Sequence, residues 1–349
     1  MIEEQDVLDW LLEEEPPFVR YCTLMQVMGR GRDDPDVKRA LTASMASPPI
    51  SRILEGQLPS GGFHHSDAAR RWGESAVEAG YFPKYRGSAW KLMFLAQAGA
   101  DPLDLRVRAL AEHLLAHSFN KEFGTFSVPT GRLNVPFGDF LIPCFMGNMV
   151  WSLCTLGYGG RCEVRSAFDW LVRYQRFDDG DWRTPSEFPY RGRRDRCWGA
   201  HTCYWGVTKL LRAMTVIPES YWTADAREAE RKAIEFVLKH RLVWSSHNPS
   251  KPIAVKNTMP QRLTAPITYY DDALEIASSL LALNVRDPAL EETVDFVMSK
   301  RNVMGRWAAD NVIGQLDSPF AYKGRESKWI TLRALRMLRL AGRSSQHSR

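Results

Sequence analysis

The sequence predicts an all-α protein built from about five copies of a two-helix unit. Three observations carry that prediction. A glycine turn followed by an aromatic residue recurs at a nearly constant interval. An amphipathic helical pattern precedes the turns, and a more apolar helical pattern opens each unit. No run of alternating apolar and polar residues competes as a strand signal.

The turns come first. Gly61-Gly62-Phe63, Phe123-Gly124-Thr125-Phe126, Asp179-Gly180-Asp181-Trp182 and Met304-Gly305-Arg306-Trp307 share the pattern, and Val243-Trp244 fills the gap without its glycine. The aromatic-to-aromatic spacing is about 56–63 residues, at or just above the upper range of recognised repeat architectures. The helix before a turn is predicted over Val164–Gln175 from Ala167, Trp170, Leu171 and Tyr174. It is predicted over Ala226–Arg241 from Ala229, Ala233, Phe236 and Val237, and over Leu290–Lys300 from Val294, Val297 and Met298. The helix that opens each unit is predicted over Ser88–Ala96, Met146–Leu156, Cys203–Met214, Tyr270–Leu283 and Trp329–Leu340. The first four are apolar on more than one face, as a helix packed on both sides should be. Gly99-Ala100-Asp101-Pro102 and Val285-Arg286-Asp287-Pro288 are expected to stop one helix and start the next. Repetition of this unit gives a solenoid or a closed ring, with one helix layer inside and one outside.

Composition narrows the function classes. The chain has 349 residues, 44% of them hydrophobic and 25% charged, which suffices for a large core. A net charge of +5 with scattered basic residues argues against a nucleic-acid surface; the densest cluster, Arg191–Arg196, is short. The acidic start Met1-Ile2-Glu3-Glu4 does not suit a signal peptide. No segment approaches the roughly 20 apolar residues of a membrane span. Six cysteines are too sparse for a disulfide scaffold, so reduced thiols and a cytoplasmic location are expected. The expected organisation is a helical segment over 1–48, a repeat domain over 49–342 and a disordered tail over 343–349.

The turn motifs carry a family resemblance. Gln175-Arg176-Phe177-Asp178-Asp179-Gly180-Asp181-Trp182 resembles the Gln–Trp repeat of triterpene cyclases, and Gln57 to Phe63 is a shorter variant. Over residues 50–340 the chain is similar to the α/α-toroid superfamily of terpene cyclases and protein prenyltransferase β-subunits. It looks most like the short squalene-cyclase-like proteins of bacteria and archaea. The resemblance implies one toroid of about five to six hairpins, and a cyclase, isomerase or lyase activity on a small apolar, isoprenoid-like substrate. Fold likeness alone does not fix function.

In a ring, the first turns of the inner helices share one end of the cavity. Candidates there are Ser88, Trp90 and Lys91; Cys144, Gly147 and Asn148; His201, Cys203 and Tyr204; Tyr269, Tyr270, Asp271 and Asp272; and Lys328, Trp329 and Thr331. Cys144, Cys203 and Asp271 fall near one repeat apart, and a helix N-terminus is expected to lower thiol and carboxyl pKa values. Tyr269-Tyr270-Asp271-Asp272 resembles the Asp-x-Asp-Asp motif of class II terpene cyclases, with Tyr269 in place of the first Asp. That correspondence implies Asp271 as the acid and Asp272 as the carboxylate that keeps it protonated. Trp90, Trp205, Tyr269, Tyr270 and Trp329 would stabilise a carbocation. Helix capping, with Thr268 and Asp271 as a capping box, explains Asp271 as well.

Two further readings stand beside this one. Prenyltransferases hold zinc with an Asp and a Cys two residues apart plus a His. The spacing His201-Thr202-Cys203 is similar, and Cys144 and Asp271 complete a tetrahedral set with an open position. The lanthipeptide cyclases, zinc toroids with two Cys and a His, add a second analogy. Zinc is thus the one cofactor the sequence suggests. The remaining reading is a non-catalytic lipid or peptide binder with an apolar cavity. Lys84, Arg86 and Lys328 would meet an anionic head group at the cavity mouth, and peripheral membrane contact stays open. His64, His65, His113 and His117 are expected on solvated faces, and Cys154 and Cys162 in structural positions. Oligomeric state has no signature in the sequence.

Overall fold

A computed structural model describes residues 4–129, 139–180, 183, 185, 197–248, 250–253 and 260–343. Trp182 of the third turn, the Arg191–Arg196 cluster and residues 344–349 of the tail lie outside these. Among the described residues, 15 α-helices accompany four strands of two residues each. The all-α expectation is met at that level. The chain divides into two compact units. One comprises Met1–Ile53, Ala98–Ala100 and Leu238–Arg349; the other comprises Leu54–Gln97 and Asp101–Val237.

In the second unit, α9 (Pro143–Thr155) lies between α7 (Ser88–Gln97) and α11 (Tyr204–Met214), with α10 (Cys162–Tyr174) packed on it as well. Helix α8 (Leu105–His117) packs on α7. Helix α12 (Ala224–Lys239) meets α11 through Phe236 and Tyr204, whose ring centroids are 6.1 Å apart. This is the expected alternation: α7, α9 and α11 are buried on nearly every face, whereas α10 buries one stripe. That stripe is Val164, Ala167, Phe168 and Leu171, at i, i+3, i+4 and i+7. Helices α9 and α11 approach closely because Gly147 has no side chain. A Cβ there would lie 2.7 Å from the Cβ of Lys209.

In the first unit, α13 (Ala273–Ala282) packs on α14 (Pro288–Ser299) and α15 (Lys328–Leu340). The N-terminal segment covers α15. It comprises α1 (Glu4–Leu11), α2 (Pro17–Cys22) and a π-helical turn over Thr23–Val27. Helix α3 (Pro35–Ala46) packs on α2. Asp34, Asp104 and Asp287 cap α3, α8 and α14 with their carboxylates. For α14 this is the predicted Asp-Pro start. For α8 the helix begins three residues beyond the predicted pair: Asp101 accepts from the Leu103 amide in a turn, and Asp104 is the cap.

Two of the glycine–aromatic turns are built alike. Phe63 and Trp307 are buried, and their backbone amides donate to the hydroxyls of Ser88 and Thr331 in the following helix, both at 3.0 Å. Each hydroxyl thereby ties a turn to the helix that opens the next unit. Gly61 is fixed by space and backbone together: its φ is +85°, and a Cβ there would meet the Ala109 carbonyl oxygen at 2.1 Å. The turn without a glycine places Arg241 and Leu242 in the left-handed region, at φ 40° and 61°.

Candidate functional site

The candidate residues lie at the starts of the apolar helices, described one unit at a time. In the second unit, the α7 face predicted as a cavity wall is core. Trp90 is fully buried, its indole N–H donates to the Tyr81 carbonyl at 2.8 Å, and Tyr81, Tyr85 and Phe94 surround it. An aromatic ring so enclosed serves packing. Tyr204 turns toward the outer helix and Phe236, and Trp205 stacks edge-on against Tyr204 at 5.4 Å. Both are buried in the α11 start.

Cys203 sits at the N-cap position of α11. The expected lowering of its thiol pKa does not occur. Burial pushes the thiol up, and the amides of Gly206 and Trp205 pull it only part of the way back. Cys144 is buried in the first turn of α9. His201 is exposed, and its backbone forms an antiparallel bridge with Asp179. Within this unit and among the described residues, Cys144, His201 and Cys203 do not gather as a metal-ligand group.

Three cations are buried in the same layer: Lys91 on α7, already a candidate from the sequence, and Lys209 and Arg212 on α11, which sequence reasoning passed over. The Lys91 ammonium lies 4.1 Å from the Phe63 ring centroid. Arg212 donates to Asn148 Oδ1 at 3.2 Å and stacks 3.6 Å from the Trp151 centroid. Asn148 is thus engaged by a helix neighbour. The signal was available: a lone Lys or Arg inside an otherwise apolar helix is costly unless paired. His113 also departs from expectation. It is buried, its Nε2 lies 2.9 Å from the Glu78 carbonyl, and a Cβ at Gly62 would meet its ring at 2.5 Å.

In the first unit, the helix predicted from Tyr270 begins at Ala273, because the cap is Asp272. Asp272 Oδ1 accepts from the Glu275 amide at 2.8 Å, and Oδ2 accepts from the Thr264 amide at 2.8 Å. Arg333 of α15, itself buried, donates to both oxygens at 2.8 and 3.2 Å, to Glu275 at 3.1 Å and to the Thr264 carbonyl at 3.0 Å. Burial works against the guanidinium charge, but Asp272 and Glu275 outweigh it and hold Arg333 above its ordinary range. Asp272 is therefore a structural carboxylate.

Asp271 precedes this cap and is 2% exposed. The helix is capped by Asp272, which accepts from the Glu275 amide, and not by the expected box of Thr268 and Asp271, so capping does not account for the burial of Asp271. Tyr269 is buried, Tyr270 is half-buried, and their centroids are 6.1 Å apart.

Trp329 and Lys328 face the N-terminal segment. Trp329 packs on Phe18 and Phe320, with centroids at 5.4 and 5.8 Å. Lys328 donates to Glu13 at 2.7 Å and to the Glu15 carbonyl at 2.5 Å. Lys328 thus fastens the chain's first helices to its last one, a role that differs from the predicted head-group contact. No protein-family model matches the chain, and no curated protein is similar to it.

Proposed function

We propose that this chain closes as an α/α toroid and acts as an enzyme on an apolar, isoprenoid-like substrate, with Asp271 as the acid. The observation that carries this reading is the division of labour between two adjacent carboxylates. Asp272 takes the cap and the ion pair, whereas Asp271 is buried beside two tyrosines without serving the helix start. The helix order within each unit, inner helices side by side with outer helices behind them, supports the toroid part.

The step balances without an oxidant or reductant. The Asp271 carboxylic acid gives its proton to one alkene carbon; the π bond is consumed and a tertiary cation forms. A second alkene of the same molecule supplies its electron pair to close a ring, or the cation rearranges. Loss of a proton from a neighbouring carbon restores an alkene, so substrate and product are isomers. Tyr269 and Tyr270 would face the developing charge. A zinc-dependent enzyme and a non-catalytic binder are the alternative readings.

The test uses solvent deuterium. The full chain is incubated in D2O with a panel of linear polyprene hydrocarbons and alcohols, and products are analysed by mass spectrometry. An isomeric product carrying one solvent deuterium is expected from the natural chain and none from Asp271→Asn, with unchanged thermal stability of the variant. Products that persist in Asp271→Asn refute the assignment.

A further inference from the structure

Two neighbouring turns in the first unit expose apolar side chains where turn chemistry does not call for them. The first spans Asn302–Gly305, closed by the Gly305 amide donating to the Asn302 carbonyl at 3.0 Å. Its two corner residues are Val303 and Met304, 90% and 44% exposed. The second spans Tyr322–Arg325, closed by the Arg325 amide donating to the Tyr322 carbonyl at 3.2 Å. It presents Tyr322, 63% exposed, beside Lys323 and Arg325. Corner positions favour Gly, Asn, Asp, Ser or Pro, each for a conformational reason that Val and Met do not share.

The two turns form one rigid tip. Asn302 Nδ2 donates to Glu326 Oε1 at 2.6 Å, and Arg306 donates to Glu326 Oε2 at 2.9 Å. The Asn302 side chain accepts from the Met304 and Arg306 amides, both at 2.9 Å. The Gly305 backbone rests on α1, where a Cβ would lie 2.7 Å from a Val7 methyl. The exposed charges around the apolar tip are Arg301, Lys323 and Arg325, with Glu326 held by Arg306.

We infer that this tip docks the protein on an anionic lipid bilayer. Val303, Met304 and Tyr322 would enter the boundary between head groups and acyl chains, and the three cations would meet lipid phosphates. Tyrosine suits that boundary, since its ring is apolar and its hydroxyl is wet. Three protruding side chains are a small fraction of the roughly 800 Å² that a stable protein partner covers per side. They are sufficient for reversible interfacial binding when joined to basic residues, each of which contributes about fivefold in partitioning. The inference does not rest on Asp271, and Asp271→Asn should bind vesicles like the natural chain.

The experiment is co-sedimentation of the full chain with vesicles of phosphatidylcholine alone or mixed with phosphatidylglycerol. Partitioning is expected to rise at least tenfold with the anionic lipid and to fall with added salt. The double variant Val303→Asp, Met304→Asp should lose at least tenfold, and Lys323→Glu, Arg325→Glu should lose the preference for anionic lipid, both without a change in circular dichroism or melting. The pair Leu103→Asp, Leu105→Asp, which alters exposed leucines in the other unit, should bind unchanged. The inference is overturned if the chain does not bind anionic vesicles, or if Val303→Asp, Met304→Asp binds normally. Loss of binding in the Leu103, Leu105 pair overturns it equally.

Discussion

The Asp272–Arg333 pair gives a prediction with a magnitude. Asp272→Ala removes a helix cap, which costs about 1 kcal/mol. It also leaves a buried guanidinium without its main counter-ion, and breaking a buried pair from one side costs about 3–5 kcal/mol. Glu275, 3.1 Å from Arg333, remains and offsets part of that second loss. The net expectation is a destabilisation of roughly 3–4 kcal/mol. Asp272→Asn keeps one capping oxygen but removes the charge and sets its NH2 against two donors, so it should cost about as much, roughly 3–4 kcal/mol.

The assay is urea unfolding followed by circular dichroism, with Arg333→Met completing a double-mutant cycle with Asp272→Asn. Once the guanidinium is gone, the second change is no longer charged with an orphaned cation. A coupling of about 2 kcal/mol is therefore expected. A coupling below about 0.5 kcal/mol, the range of exposed pairs, would refute the view that this ion pair is a buried structural tie. Loss of turnover in Asp272→Asn at unchanged stability would refute it from the other direction.

Other expectations follow from single contacts. Gly61→Ala should cost more than about 2 kcal/mol in thermal unfolding, because it combines a left-handed φ with a clash on the Ala109 carbonyl. His113 is held below the ordinary histidine value of 6.5, chiefly by burial, so the unfolded chain binds the proton more readily. Stability should therefore be fully present above pH 6.5 and decline as pH falls below it; His113→Gln, which keeps a donor near the Glu78 carbonyl, should flatten that slope in pH-dependent melting. Burial pushes the thiols of Cys22 and Cys154 up to about 12. A disulfide reagent at pH 8 should label exposed Cys162 first and leave Cys22 unmodified until the protein unfolds.

The helices were legible because their burial is periodic. The stripe of Val164, Ala167, Phe168 and Leu171, and that of Leu290, Thr293, Val294 and Val297, are direct consequences of 3.6 residues per turn. Packing partners were less legible. A helix buried on every face, such as α7, carries no mark of which face meets a cavity; Trp90 read as a wall and is fully buried. Nothing local in Lys328 or Trp329 indicates that residues Glu13 and Phe18, over 300 positions earlier, cover them. The cap was decidable in principle. Asp272 has Glu275 three residues on, which is the stronger capping-box pattern, whereas Asp271 has only Thr268 before it.

That one-residue distinction alters the expected chemistry of the pair. Four donors fill the acceptor positions of Asp272, two amides and two guanidinium nitrogens. A carboxylate so occupied has no place for a shared proton, and Arg333 cancels its charge toward its neighbours. In the class II motif that Tyr269–Asp272 resembles, the second carboxylate favours the protonated acid by repulsion. Under the proposed mechanism the burial of Asp271, 2% exposed, would have to do that instead. Removal of the cation tests the difference. Arg333→Met would expose Asp271 to an uncompensated negative charge one residue away, which favours the protonated form. Under the proposed mechanism, the alkaline fall in turnover should then move to higher pH in Arg333→Met, measured as the pH profile of solvent-deuterium incorporation. An unshifted profile in a folded Arg333→Met variant would mean that Asp271 does not titrate in the rate-limiting form, and the acid would have to be sought elsewhere.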